Sequence, residues 1–187
     1  MFPGNPFDKR RDALDHSLVR LLWNKQTLLR CAATLCALSL VPRAGASDDV
    51  LLGRVKPPAI LAISAAWQEG HDSYEPAAAD LTLLSVPRPH AHLDVYFGSW
   101  CGDSRREVPR LLKILDRAAP TGLRLRFYGV DRAKKEPKRL VQRARLERVP
   151  TLVVSAGGRE IGRIVETPKS TLEHDLALLL EQVPAGR

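Results

Sequence analysis

From residue 93 onward the chain alternates short apolar runs typical of β-strands with amphipathic helical patterns. Among the features of the sequence, this alternation limits the possible folds most. The predicted strands are, in chain order, 93–97, 123–130, 151–155 and 159–165. The predicted helices are 105–118, 137–148 and 170–183. The last two strands flank Ala156-Gly157-Gly158, which indicates a β-hairpin. The order β-α-β-α-β-β-α therefore predicts an α/β fold.

The region before this alternation has weaker patterns. Residues 47–59 contain two consecutive prolines and predict an extended leader into the domain. Residues 60–70 have a helical pattern that stops at a glycine, and 81–86 form a short apolar stretch. Since a chain of 187 residues leaves little room for a second domain, we expect one domain over 60–187.

The N-terminal segment has the pattern of a secretory signal peptide. A non-charged run, CAATLCALSLVP at 31–42, follows several basic residues and precedes Ala44-Gly45-Ala46, an A-x-A-like cleavage site. This predicts a signal peptide over 1–46 that is cleaved after Ala46, and therefore an exported protein of the bacterial periplasm. The basic region is longer than in ordinary signal peptides, and a start at Val19 would shorten it. The alternative is a short buried helix of the domain.

Cleavage would change both the charge and the cysteine content. The whole chain has a formal net charge of +8, and the leader carries seven Lys/Arg against three Asp/Glu, so residues 47–187 carry +4. Cys31 and Cys36 would leave with the leader, and Cys101 would be the single thiol. A lone thiol cannot form an internal disulfide, so it is buried, reactive or paired with another molecule.

Cys101 lies in the sequence Trp100-Cys101-Gly102-Asp103-Ser104, between a predicted strand and a predicted helix. Unpaired backbone N–H groups and the dipole at a helix N-terminus favour an anion, which here is the thiolate of Cys101. The alternative is a structural cysteine in a loop. Asp103 also suits the helix dipole, but its negative charge opposes that of a thiolate nearby.

Around these residues the chain resembles the thioredoxin superfamily, over about residues 90–185. Trp100-Cys101-Gly102 matches the family's active-site loop, and Pro109 matches the proline that kinks the active-site helix. Val149-Pro150-Thr151 matches the loop whose cis-proline faces the catalytic cysteine. The resemblance implies a thioredoxin-like fold, with a central mixed β-sheet flanked by helices, and Cys101 as the catalytic nucleophile. It also implies substrate contacts from Trp100, Gly102, Asp103, Val149, Pro150 and Thr151.

The chain departs from the family at the residues that complete its reaction. Ser104 stands where the family has a second, resolving cysteine, and Val95 stands where it has a buried acid. Asp94 is one position away and, by strand alternation, faces the opposite side of the sheet. We therefore expect Cys101 to need an external thiol to release a mixed disulfide. Ser104, the second predicted catalytic residue, would hydrogen-bond the Cys101 thiolate or satisfy an N–H of the first helical turn.

Other kinds of binding are disfavoured. Residues 132–148 hold many basic side chains, but no aromatic residue is interleaved for base stacking, so a solvated helix face is favoured over nucleic-acid binding. His90, His92 and Cys101 supply too few ligands for a metal site. No run nears the roughly 20 apolar residues of a membrane span. We expect no cofactor, no metal, no nucleic-acid partner, no membrane span in the mature form, and a monomer.

Two functions are consistent with these observations. The first is thiol–disulfide exchange through a single redox-active cysteine, Cys101, with protein disulfides or small thiols as partners. The second is a redox-inactive binding or chaperone-like module that kept the fold. Trp100-Cys101-Gly102 and Val149-Pro150-Thr151 favour the first function, whereas Ser104 and Val95 favour the second.

Overall fold

The computed structural model describes residues 50–183, which form a five-stranded sheet with helices on both faces. The strands are β1 (Gly53–Val55), β2 (Ala91–Phe97), β3 (Arg124–Gly129), β4 (Thr151–Ala156) and β5 (Arg159–Val165). The helices are α1 (Pro57–Leu61), α2 (Ala65–Asp72), α3 (Ala78–Leu84), α4 (Gly102–Ala118), α5 (Lys138–Ala144) and α6 (Leu172–Glu181). The predicted signal peptide, residues 1–46, lies outside the described residues.

The strands are ordered β1-β3-β2-β4-β5 across the sheet. β2 and β3 are parallel, whereas β1 pairs with β3, β4 with β2, and β5 with β4 in antiparallel fashion. A parallel pair needs a crossover connection, and α4 provides it between β2 and β3. The predicted α/β, thioredoxin-like fold with a central mixed sheet flanked by helices is therefore confirmed.

One face of the sheet carries the main core. Because side chains alternate along β2, Leu93, Val95 and Phe97 share this face, and all three are fully buried. α4 covers them with an apolar stripe that includes Leu111 and Ile114, and α6 packs in the same cluster. Full burial of one large aliphatic side chain contributes about 1.5–3 kcal/mol, so this cluster provides most of the stability of the fold.

The opposite face carries a smaller apolar cluster under α5. Tyr96 of β2 stacks on Tyr128 of β3, with their ring centroids 5.3 Å apart. Val141 of α5 and Val149 of the loop before β4 belong to the same cluster. Cys101 packs against its edge, so the predicted reactive residue lies at the start of α4 on the α5 side of the sheet.

Residues 47–59, predicted as an extended leader, belong in part to the folded domain. Gly53–Val55 pairs with β3 as an edge strand, and α1 begins at Pro57. β1 approaches β3 closely because Gly129 has no side chain, since a Cβ there would lie 2.2 Å from the Leu51 carbonyl oxygen. The extended prediction was wrong at Pro57 because proline suits the first turn of a helix, where its missing N–H is not needed.

The helical pattern predicted at 60–70 is divided between two helices. α1 ends at Leu61, and α2 begins at Ala65. Ser64 between them has extended backbone (φ −166°, ψ 166°) and is the N-cap of α2. The apolar stretch 81–86 lies mostly within α3. The local sequence therefore predicted helix over 60–70, but it did not show the break between α1 and α2, which depends on the extended backbone of Ser64.

The helices that precede β2 share the main core. Ile60 of α1, Trp67 of α2 and Leu84 of α3 are each at most 2% exposed. Trp67 packs edge-on against Phe97, with ring centroids 5.9 Å apart. These three helices are thus part of the same packed unit as the sheet.

Polar contacts reinforce this packing. His71, at the end of α2, has its Nε2 atom 2.9 Å from a carboxylate oxygen of Asp116 in α4. Tyr74 donates a hydrogen bond to Glu173 of α6 at 2.7 Å. Since Glu173 is only 2% exposed, the Tyr74 bond and a second bond from the Ala77 N–H at 2.9 Å satisfy a carboxylate that would otherwise be costly to bury.

Candidate functional site

The loop between β2 and α4, residues 98–101, carries the predicted active-site motif and is called the reactive loop after the predicted role of Cys101. After Phe97 the chain turns, and the backbone N–H of Cys101 donates to the Gly98 carbonyl at 3.0 Å. Glycine is needed at position 98, because a Cβ there would lie 2.6 Å from the ring of Trp100. α4 begins at Gly102, earlier than the predicted start at 105, so Cys101 is its N-cap residue. A thiolate at this position would face the unpaired N–H groups of the first helical turn.

Cys101 contacts the second predicted motif, the loop around Pro150. The thiol of Cys101 is partly exposed and donates a hydrogen bond to the Val149 carbonyl oxygen, with Sγ and O 3.3 Å apart. The peptide bond between Val149 and Pro150 is cis. The carbonyl of the buried Pro150 accepts a hydrogen bond from the N–H of Glu166 at 2.7 Å, which ties this loop to the end of β5. The fold therefore brings together two motifs that are distant in the sequence.

Ser104 makes a different contact from the two that were expected. Its side chain is fully buried, and its Oγ accepts a hydrogen bond from the backbone N–H of Gly98 at 3.2 Å. The partner is thus neither the Cys101 thiol nor an N–H of the first helical turn, because the loop folds back so that the end of β2 reaches α4. This contact fastens the reactive loop to the helix, and a catalytic role for Ser104 stays a prediction.

The position of the family's buried acid is apolar. Val95 is fully buried in the main core. Asp94 lies on the opposite face of β2 and accepts two hydrogen bonds from Arg126 of β3. These bonds raise the pKa of Arg126 above its usual value. Strand alternation predicted that Asp94 would face away from Val95, and this is confirmed.

Trp100 is held from two sides. Its Nε1–H donates to the Val130 carbonyl at 3.0 Å, and the guanidinium carbon of Arg132 lies 5.6 Å from its ring centroid. A cation at this distance from an exposed indole is attracted by about 0.5–1 kcal/mol. Trp100 is therefore a partly exposed aromatic surface beside Cys101 with a positive charge above it.

The turn that presents Arg132 is built by Asp131. Its carboxylate accepts hydrogen bonds from three backbone N–H groups within residues 133–136. These bonds, that of Glu136 foremost, hold the pKa of Asp131 below its usual value. On sequence alone, Arg132 was treated only as part of a basic run. The turn that begins at Asp131 and ends at Pro137, with five residues between them, was the signal that could have distinguished Arg132 from that run.

The remaining predicted site residues have different surroundings. Gly102 is exposed and opens α4. Asp103 pairs with Arg106 one turn later at 2.9 Å, which partly neutralises the negative charge near Cys101. Thr151 is 2% exposed and donates a hydrogen bond to the Arg148 carbonyl at 2.7 Å. Gly102 and Asp103 are thus open to solvent, whereas the side chain of Thr151 is used within the fold.

The segment before β1 also touches the reactive loop. The backbone N–H of Leu51 donates to the Oγ of Ser99 at 3.2 Å. Ser99 precedes Trp100, so the pairing of β1 with β3 positions a support for the loop that holds Cys101. This contact joins residues far apart in sequence, and no local pattern indicates it.

The described residues also bear on metal, membrane and polyanion binding. Within residues 50–183 no cluster of three or more His, Cys, Asp or Glu side chains has the arrangement of a metal site. Over the same range no helix combines the length and apolar character needed to cross a bilayer. The basic side chains of α5 are exposed, namely Lys138, Arg139 and Arg143.

Thioredoxins are among the known proteins that this chain is similar to. It is 26% identical over 82 residues to Thioredoxin-2 of Saccharomyces cerevisiae, covering 44% of this chain and 73% of the yeast protein. A solved structure of a Pseudomonas aeruginosa protein of unknown function aligns with a TM-score of 0.45 at 20% identity, over 66% of this chain and 81% of that one. Fasciola hepatica thioredoxin aligns with a TM-score of 0.39 at 14% identity, over 52% of this chain and 84% of that one. No protein-family model matches the chain. The likeness to the yeast protein supports the thioredoxin-like superfamily that the motifs indicated.

Proposed function

We propose that this chain catalyses thiol–disulfide exchange through Cys101 alone, by a monothiol mechanism that needs an external thiol. The observation that supports this most is the position of the thiol. Cys101 is the partly exposed N-cap residue of α4, and its Sγ lies 3.3 Å from the carbonyl that precedes Pro150. A thioredoxin-like fold is suited to redox chemistry at this point, where a partly exposed thiol lies at a helix N-terminus.

The first step is attack by the Cys101 thiolate on one sulfur of a substrate disulfide. A new S–S bond forms to Cys101, the original S–S bond breaks, and its electron pair leaves with the other sulfur, which takes up a proton from water. Ser104 has no thiol to displace the bound half, so an external thiolate attacks the mixed disulfide. After two molecules of external thiol have reacted, the substrate is reduced to two thiols, the external thiol is oxidised to its disulfide, and Cys101 is regenerated.

A substrate would meet the exposed part of the predicted binding residues first. Trp100, Gly102 and Asp103 are at least partly exposed, whereas Val149, Pro150 and Thr151 are buried. We infer that residues of the first group contact the substrate, and that the second group shapes the loop against which Cys101 lies.

The test traps substrate on Cys101. The full chain carrying Cys31→Ser and Cys36→Ser has Cys101 as its only thiol, and it is mixed with a disulfide-bonded peptide. We expect a mixed disulfide on Cys101, detected by mass spectrometry and released by glutathione. The same chain with Cys101→Ser is the control and should give no adduct. A thiol that reacts with an alkylating reagent but never exchanges with a disulfide would disprove the proposal.

Ser104→Cys in the same background supplies a resolving thiol. We expect the variant to form an internal disulfide with Cys101 and to reduce insulin in the presence of dithiothreitol faster than the parent, which needs dithiothreitol itself to resolve each mixed disulfide. No gain would mean that the buried acid replaced by Val95, or another feature, is also required.

A redox-inactive binding or chaperone-like module is the second candidate. Val95 in the place of the buried acid and the structural contact of Ser104 with Gly98 favour it. Cys101→Ser separates the two functions. A binding module would retain its partner in this variant, whereas an exchange protein would lose it.

We further propose that residues 1–46 are a signal peptide and that the protein acts in the bacterial periplasm. The non-charged run at 31–42 and Ala44-Gly45-Ala46 support this. Expression in a bacterial host, fractionation and mass spectrometry of the N-terminus test it. We expect a periplasmic protein that begins at Ser47, and an intact leader in the cytoplasmic fraction would contradict export.

A further inference from the structure

A cavity of about 530 Å³ lies beside the reactive loop, between α2 and the first half of α4. Glu69 and Tyr74 belong to its wall on the α2 side, and the α4 wall runs from Gly102 to Arg110. At 1.5 Å per residue this part of α4 is about 12 Å long. Gly102 follows Cys101 directly, and a Cβ at Gly102 would have nothing within 4 Å. The cavity is therefore open at the end next to the reactive cysteine.

Two arginines of the cavity wall are already neutralised. Arg106 pairs with Asp103 at 2.9 Å and with Glu107 at 2.6 Å. Arg110 lies 3.6 Å from the same Glu107 oxygen and also covers the ring of Tyr74 at 5.2 Å. Because Glu107 is 3% exposed, this pairing compensates a buried carboxylate. These arginines thus do not make the cavity a simple anion site.

Glu69 and Arg105 are the unpaired charges of the wall. In the part of the chain that the structure describes, neither side chain has an ion pair or a hydrogen bond. They are exposed and stand on opposite walls, Glu69 on α2 and Arg105 on α4. A ligand with both an ammonium and a carboxylate group would pair with both through charge-assisted hydrogen bonds.

From this arrangement we propose that the cavity binds the zwitterionic amino-acid end of a low-molecular-weight thiol, with its carboxylate on Arg105 and its ammonium on Glu69. The proposal rests on the monothiol function, which requires such a thiol to regenerate Cys101. Arg105 follows Gly102 by three residues, which is about 4.5 Å along the helix axis. One extended residue spans roughly 3.5 Å, so a peptide thiol held at Arg105, with its cysteine next to the zwitterionic end, has its sulfur near the Gly102 end of the cavity.

The bound thiol then takes part in a balanced exchange. Its thiolate attacks the Cys101 sulfur of the mixed disulfide, a bond forms between these two sulfurs, and the bond to the substrate breaks. The substrate leaves as a thiolate and takes up a proton. A second molecule of the thiol attacks the sulfur of the first, which releases Cys101 and forms the oxidised dimer of the small thiol. Two electrons pass from two thiols to the substrate disulfide.

The experiment compares a charged and an uncharged thiol. Glutathione is the probe, and 2-mercaptoethanol, which has no charged group, is the reference. In the full chain with Cys31→Ser and Cys36→Ser, Cys101 is converted to its mixed disulfide with 2-nitro-5-thiobenzoate. Release of the coloured thiol by each reagent, at concentrations well below saturation, gives a second-order rate constant.

We expect Arg105→Gln and Glu69→Gln each to lower the rate constant for glutathione roughly two- to fivefold, as for the loss of one exposed ion pair. Neither variant should change the rate with 2-mercaptoethanol. Arg117→Gln is the matched control, because Arg117 is exposed on the same helix, pairs with Glu75 and lies outside the cavity wall. It should change neither rate.

Each other outcome overturns a specific claim. Equal glutathione rates in the parent and both cavity variants would overturn the cavity site and leave the monothiol function standing. A parallel loss with 2-mercaptoethanol would also overturn the cavity site, since the substitutions would then act on Cys101 itself. Failure of Cys101 to form the mixed disulfide, or to be released by any thiol, would overturn the monothiol function.

Discussion

Ser104→Ala tests whether the serine at the resolving position holds the reactive loop. The substitution removes the acceptor of the Gly98 N–H, and both residues are buried, so the donor is left without a partner. A buried unsatisfied donor costs about 1–3 kcal/mol. The 3.2 Å bond is at the long end of the usual range, which favours the lower half of that interval. Alanine regains up to about 0.5 kcal/mol through its better helix propensity. We therefore expect the free energy of unfolding to fall by about 1 kcal/mol.

Equilibrium unfolding in urea measures this difference, provided that the dependence of the free energy on urea is unchanged. Ser170→Ala is the control, because Ser170 is exposed and has no side-chain hydrogen bond among the described residues, and we expect a change within about 0.5 kcal/mol. Ser104→Cys, measured under reducing conditions so that it forms no disulfide with Cys101, keeps a weak sulfur acceptor and should fall between the two. If Ser104→Ala and Ser170→Ala lose the same stability, the bond to Gly98 does not hold the loop.

Other parts of the packing give further expected outcomes, each measured by urea unfolding. Trp67→Ala should cost about 3–5 kcal/mol, because Trp67 is 1% exposed in the main core, and a loss below about 1 kcal/mol would contradict the docking of α2. Trp100→Phe should cost about 1 kcal/mol through the loss of its Nε1–H bond, and unchanged stability would mean that this bond contributes nothing. Burial lowers the pKa of His71, but hydrogen bonds to Asp72 and Asp116 outweigh this and raise it above the ordinary 6.5. The resulting stabilisation is complete below the unfolded-state pKa and declines as the pH rises through the folded-state pKa. The unsubstituted protein should therefore lose stability between about pH 5.5 and about pH 8.5, and His71→Gln should lose less over the same range. Parallel pH profiles for the two proteins would contradict this.

The elements from β2 to α6 were predictable because each has a local pattern. Strand alternation placed Val95 in the core and Asp94 on the opposite face, and helical spacing located α4 and α6. β1 was missed because three residues, Gly-Arg-Val, carry too little pattern. Its strand conformation comes from pairing with β3, a tertiary contact that the local sequence does not report.

The motifs of the site were recognisable, but their contacts were not. The meeting of Cys101 with the loop before Pro150 was implied by the resemblance to thioredoxins. In contrast, the hydrogen bond between Ser104 and Gly98 depends on how the loop folds back onto α4. The cavity charges Glu69 and Arg105 come from separate helices, and only the docking of α2 on α4 places them on one cavity.

The pairing of β1 with β3 and the contact of Leu51 with Ser99 have a practical consequence for how the protein is handled. A fragment trimmed to the thioredoxin-like segment, from residue 90 onward, would leave the edge of β3 uncovered and strip Trp67 from the core. Uncovered strand edges promote self-association, so such a fragment would be a poor substitute for the protein. The smallest cooperative folding unit therefore extends back to at least residue 51, and expression boundaries drawn from the family likeness alone would cut through it.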